Sequence, residues 1–218
     1  MRNIKFANKE YYHVYNRGTD KRDIFLDKED IWRFLQCLKQ LNSTEIIGSF
    51  HSDSYKQRSK LRSLAPKLVN IVAYCLNQNH FHLILEQIEN DGIPKFMHRV
   101  STSYTNYFNE KNKRSGSLFQ GTYKAKHASS NEYLLHLGVY VNLNNMVHEG
   151  MNKDWMKLLP FSSFNEYLNN STDGVCQKEI ILGQFKNSKE FSEYCFELLP
   201  IIKRYKKEIK EFSKACID

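Results

Sequence analysis

A chain of 218 residues, 41% hydrophobic and 13% aromatic, is long enough to bury one sizeable core and reads as globular. Lys and Arg outnumber Asp and Glu by 32 to 24, and between Ile93 and Ala128 the only acid is Glu110, so the excess suits a polyanionic partner or a solvated basic face. Five scattered cysteines without CxxC spacing exclude a disulfide framework or zinc knuckle and suggest reduced thiols in a cytoplasmic protein; the start lacks a signal-peptide core, and no run approaches the roughly 18 apolar residues of a membrane span.

Residues 11–18 are dense in β-formers and stop at Gly18, which predicts a first strand with His13 and Tyr15 on one face and Val14 and Asn16 on the other. Arg17, where the strand runs out, is either an ordinary surface arginine or a guanidinium placed to reach phosphate. Ile31, Phe34, Leu35, Leu38 and Leu41 follow helical spacing behind an acidic first turn, so residues 31–41 form an amphipathic helix whose stripe is core. A short strand over 45–50 and a flexible basic insert over 54–67 come next. Residues 68–76 read as a strong central strand, Asn77-Gln78-Asn79 as a turn, and residues 80–86 as its hairpin partner.

In that returning strand His80 and His82 are two residues apart, so both imidazoles point one way and Phe81 points the other. This is half of a metal site, or a pair of histidines hydrogen-bonded near a strand end.

Residues 94–109 read as a helix that buries Ile93, Phe96, Met97, Val100, Tyr104 and Phe108 and carries Lys95 and Arg99 elsewhere on its surface. A basic loop over 112–117, with Lys113 and Arg114, leads into a strand or extended segment over 118–126. Its Tyr123, Lys124 and Lys126 mix aromatic and basic character as single-stranded nucleic-acid grooves do. Residues 131–144 wind as one helix, apolar nearly all round except for a stripe of Tyr133, His136, Tyr140 and Asn144. Such a stripe needs partners; taken alone, Tyr140 is a core tyrosine with a satisfied hydroxyl or a functional phenol. An aromatic packing segment over 155–167, a break at 169–174 and a Lys-rich helical tail follow. The expected division is a domain of residues 1–168 and a helical C-terminal extension of 169–218.

Five motifs occur in one order: Tyr12-His13-Val14-Tyr15-Asn16-Arg17-Gly18, the histidine strand from Cys75 to Leu83, Tyr104-Thr105-Asn106-Tyr107-Phe108-Asn109, Gly116-Ser117-Leu118-Phe119-Gln120-Gly121, and Tyr140-Val141-Asn142-Leu143-Asn144. Together they resemble the REP-associated branch of the HUH single-tyrosine transposases, over residues 11–167. The resemblance implies an α+β fold, a ferredoxin-like or RRM-like antiparallel sheet flanked by helices. It implies metal ligands at His80, His82 and Asn144, and Tyr140 as the nucleophile. It also implies magnesium or manganese, although two imidazoles and a carboxamide suit zinc or manganese at least as well on ligand chemistry.

The implied activity is cleavage and rejoining of single-stranded or hairpin DNA through a 5′-phosphotyrosine. Arg17, Lys95, Arg99, Lys113, Arg114, Tyr123, Lys124 and Lys126 are then the expected DNA contacts, in a protein with no membrane association and compatible with a homodimer. One rival is a DNA-binding regulator of the same fold that does not cut. Another is a zinc-dependent hydrolase, which would leave Tyr140 and the basic excess unused. Two positions depart from the family pattern: Asn77-Gln78 replaces a common Met-Pro, and Asn145 replaces a common proline. Neither change removes an expected catalytic group, but the second deletes a helix-stopping residue.

Overall fold

The computed structural model describes residues 4–45, 66–147, 162–169 and 174–215, with 208–215 as backbone only. The expected strand beyond Glu45, the insert through residue 65, the aromatic segment before Ser162, and residues 170–173 of the break lie outside the described residues. In chain order the elements are β1 (Tyr11–Arg17), α1 (Lys28–Gln40), β2 (Val69–Asn77), β3 (His80–Gln87), α2 (Gly92–Lys111), β4 (Lys124–His127), α3 (Asn131–Asn142), α4 (Asn144–Val147), α5 (Phe164–Leu168), α6 (Glu179–Leu182) and α7 (Ser188–Ala215), with a 3-10 turn at Thr19–Lys21.

The first six elements follow the order βαββαβ. Their strands lie side by side as β2-β3-β1-β4, each pair antiparallel. This is the ferredoxin-like arrangement of an α+β fold. The central hairpin forms as its sequence indicates, with Asn77 opposite His80 and only Gln78 and Asn79 between them.

Helices cover both faces of the sheet. Tyr12, Val14, Phe81, Leu83 and Leu85 pack with Phe34 of α1 and Phe96, Val100 and Tyr104 of α2. Val72, Ala73, Cys75 and Ile84 pack instead with α3, Phe164 and Tyr167 of α5, Ile181 of α6, and Phe191 and Cys195 of α7. Burial on two sides explains why β2 and β3 read as nearly continuous apolar runs rather than as an alternation.

The first helical layer is tied at its ends. Asp27 caps α1 by accepting from the Asp30 backbone N–H, and Lys111 at the end of α2 pairs with Asp27 and with the fully buried Asp30 at 2.8 Å. On the other face, Gly138 allows α3 and α6 to approach closely, because a Cβ there would lie 2.6 Å from Ile181 Cδ1.

Two expectations are corrected. Of the strand or extended segment expected over 118–126, regular strand is limited to Lys124–His127, because Phe119 bridges to Gly18 and the chain turns at Gly121, which has φ of 67°. The helix expected over 131–144 stops at Asn142, and Asn144 begins the separate turn α4. Asn142 is withdrawn into the interior: its Nδ2 donates to Gly138 O at 3.0 Å, and its Oδ1 accepts from Ser163 Oγ at 2.7 Å.

Candidate active site

Strand register brings the polar side chains together. Tyr15 lies opposite His82 and Arg17 opposite His80 across β1 and β3, while β2 places Cys75 beside His82 and Asn77 beside His80. Pleating therefore puts His13, Tyr15, Cys75, Asn77, His80 and His82 on one face, the face that α3 covers.

The two histidines are held differently. His80 Nδ1 lies 2.6 Å from Asn79 Oδ1, an acceptor, which calls for a proton on Nδ1 and leaves Nε2 to face the Asn77 amide. Asn77 Nδ2 lies 3.1 Å from that Nε2 and also donates to Asn144 Oδ1 at 2.9 Å. One buried amide thus meets an atom of each of two expected ligands. His82 Nδ1 instead shares a 2.8 Å hydrogen bond with His13 Nε2, and their rings stack at 5.0 Å. Burial, with a smaller contribution from Lys126, lowers the His13 pKa from 6.5 to about 4, so this third imidazole is neutral at neutral pH.

Tyr140 closes the group from above. Its ring stands edge-on to His82 at 5.6 Å and to His13 at 6.1 Å. Burial raises the phenol's pKa, and the adjacent Asn144 side chain opposes that rise. Asn144 is fully buried, and its Nδ2 lacks a well-formed hydrogen bond. The four expected residues His80, His82, Tyr140 and Asn144 are therefore gathered at one place.

A cavity of about 640 Å³ borders the histidines, lined among others by Tyr15, Arg17, Lys21, His80, His82, Gln120 and Lys124. Its charged lining residues are cations, and Arg17 Nε donates to Gln120 Oε1. This is a surface on which a polyanion can lie against the histidines.

The family described as "Transposase IS200 like" matches residues 7–144, which include the histidine pair, Tyr140 and Asn144. The chain belongs to the IS200-like transposase family. A solved structure of a REP-associated tyrosine transposase, bound to a REP hairpin, is similar in fold with a TM-score of 0.52 at 14% identity, over 76% of this chain and 83% of that one. A protein from Deinococcus radiodurans R1 assigned as a transposase gives a TM-score of 0.38 at 12% identity, over 63% of this chain and 92% of that one. Comparison with curated proteins gave no match. Family and fold thus agree with the resemblance carried by the five motifs.

Within this IS200-like chain the expected DNA contacts are dispersed. Arg17 and Lys124 line the cavity beside the histidines, and Lys126 lies opposite His13 with its ammonium over the Tyr133 ring. Lys95 and Arg99 belong to α2 on the far side of the sheet, where they donate to Asn90 O and Ser43 O. Arg114 folds back onto Asn109 and Ser117 O, and Lys113 occupies a left-handed turn. Tyr123 is buried and lines a second cavity of about 450 Å³, so its ring is not displayed for stacking as expected.

His13, Tyr15, Asn77 and Lys21 were assigned no site role from sequence. The signal for His13 and Tyr15 was their shared strand face, which becomes meaningful only once β1 is paired with β3. Among the described residues no group of three or more His, Cys, Asp or Glu side chains is arranged to hold a metal. The donor set here is different. His80 Nε2 faces the Asn77 amide, His82 is oriented by His13, and Asn144 Oδ1 meets the same amide as His80. Two imidazoles and a carboxamide oxygen fit a divalent ion.

Proposed function

We propose that this chain cleaves and rejoins single-stranded DNA, with Tyr140 as nucleophile and His80, His82 and Asn144 as ligands for a divalent ion, magnesium or manganese. The observation that carries the reading is the packing of the Tyr140 ring against His82 and His13, on the face that also holds His80 and Asn144. The solved relative with a REP hairpin makes hairpin DNA the first substrate to try.

Tyr140 Oη gives up its proton as it attacks the phosphorus. An Oη–P bond forms, the P–O3′ bond breaks, and the departing oxygen takes a proton to become a 3′-hydroxyl. The divalent ion, when bound, supplies charge withdrawal from a phosphate oxygen. His13 fixes the orientation of His82, Asn79 accepts from His80 Nδ1, and Asn144 counters the effect of burial on the phenol. Arg17, Lys21 and Lys124 would hold phosphates along the strand. Because the phosphotyrosine retains a reactive ester, a second 3′-hydroxyl reverses the step without a nucleotide cofactor.

The test is incubation with single-stranded hairpin DNA and Mn²⁺ or Mg²⁺, followed by a denaturing gel. A covalent protein–DNA adduct is expected, to be lost in Tyr140→Phe. An adduct persisting in that variant would overturn the nucleophile, and DNA binding without any adduct would leave a non-cutting regulator.

A further inference from the structure

The last helix carries a lysine where its packing pattern calls for an apolar residue. Along α7, Phe191, Cys195, Leu198 and Ile202 recur at steps of four, three and four, which is one helical face, and all pack on the histidine-side core. The next step of that series is Lys206. Its ammonium lies over the Tyr140 ring, 5.9 Å from the centroid. Lys206 is half-buried, and the loss of hydration lowers its pKa to about 8. A charge placed on a packed face at such a cost marks a position where a local rule gives way to function.

Other titratable groups surround the ring. His13 of β1 stands edge-on to it at 6.1 Å, the Cys75 thiol of β2 is buried, and Tyr15 and Tyr133 are phenols. His82 of β3 is hydrogen-bonded to His13, and Lys126 lies over Tyr133. Among the described residues, Lys206 is the cation recorded over the ring of Tyr140 itself.

We infer that Lys206 is a positioning residue for Tyr140, which makes the C-terminal helix part of the active site although it lies outside the matched residues 7–144. The inference rests on the reading of Tyr140 as nucleophile. An ammonium over an aromatic face attracts the ring more strongly as it becomes electron-rich, and it fixes the plane of the phenol against His82. Lys206 forms and breaks no covalent bond: the Oη–P bond forms and the P–O3′ bond breaks as above, and Lys206 keeps its proton.

The experiment compares the full chain with Lys206→Met, which keeps the aliphatic contact and loses the charge, and Lys206→Arg, which keeps the charge. Adduct formation is followed in single turnover with an end-labelled single-stranded DNA hairpin and Mn²⁺. Lys206→Met is expected to slow the saturated rate about three- to thirtyfold, with the half-saturating DNA concentration unchanged and Lys206→Arg close to the parent. A parent rate in Lys206→Met, or a change confined to half-saturation, overturns the inference.

A second readout needs no DNA: nitration of Tyr140 by tetranitromethane, scored by peptide mass spectrometry, should slow in Lys206→Met and recover in Lys206→Arg. Equal nitration in all three chains also overturns it. Dependence of nitration on Lys206 in a chain that forms no adduct would overturn the nucleophile reading while retaining the contact.

Discussion

The two faces of the sheet differ by one residue step in β3 and are built on opposite terms. Toward α1 and α2, Phe81 meets the rings of Phe34 and Phe119, Phe34 meets Phe25 and Tyr104, and the buried Tyr104 hydroxyl donates to Ile24 O. Toward α3, the buried side chains include His13, His82, Asn77 and Asn144, and the Asn144 Nδ2 and Asn145 Oδ1 atoms lack well-formed hydrogen bonds. A buried polar group left unsatisfied costs about 1–3 kcal/mol, whereas packed rings stabilise. One face supplies stability to the other, which spends part of it on holding polar groups in place.

That contrast can be broken by experiment. Its strongest test pairs Tyr140→Phe with Phe34→Ala. The first should reduce adduct formation by about three orders of magnitude or more while leaving chemical denaturation nearly unchanged. Phe34→Ala should cost about 3–5 kcal/mol of unfolding free energy, yet retain adduct formation at temperatures where the chain stays folded. Equal damage to both properties by either substitution would mean that the faces are not separable.

Next in size is Lys111→Met, which leaves the fully buried Asp30 carboxylate without its ion pair. Urea denaturation should show a loss of about 3 kcal/mol, and a loss below about 1 kcal/mol would show that water replaces the ammonium.

The histidine face should declare itself through pH. His13 titrates near 6.5 when unfolded and at about 4 when folded, so the folded chain binds fewer protons between these values. Its contribution is fully present above pH 6.5, declines as pH falls toward 4, and amounts to about 3 kcal/mol at most. Unfolding curves recorded in EDTA from pH 7 to 4 should show this slope, and His13→Gln should flatten it.

The smallest effect is reserved for Asn77→Met, which places the family's common residue at this position. Removing the amide that meets both His80 Nε2 and Asn144 Oδ1 should weaken Mn²⁺ binding about tenfold, as measured by electron paramagnetic resonance. Unchanged affinity would make Asn77 a bystander.

Local rules carried much of this architecture. The alternation in β1 and the hairpin at Asn77–Asn79 predict the strands, and the spacing of His80 and His82 predicts their common face. What local rules miss depends on contacts distant in sequence. No proline or glycine stops α3; it ends where Asn142 is drawn to Ser163, 21 residues later. The partnership of His13 with His82 requires a pairing across 69 residues. Charge density along the chain groups Lys95 and Arg99 with Lys124 and Lys126, but α2 packs on the far face and carries the first two away from the histidines. Tyr123 followed its apolar ring into the interior instead of the groove.

Under the proposed reading, the Asn142–Ser163 bond also bears on how Tyr140 and the histidines are shared among molecules. The Ser163 backbone N–H donates to Tyr74 O and its Oγ accepts from the Tyr74 N–H of β2, so the helix bearing Tyr140 is fastened to the sheet of its own polypeptide. That fastening favours a phenol and imidazoles contributed by one and the same molecule. Specific activity should accordingly hold constant on dilution, and mixing Tyr140→Phe with His80→Ala chains should restore nothing.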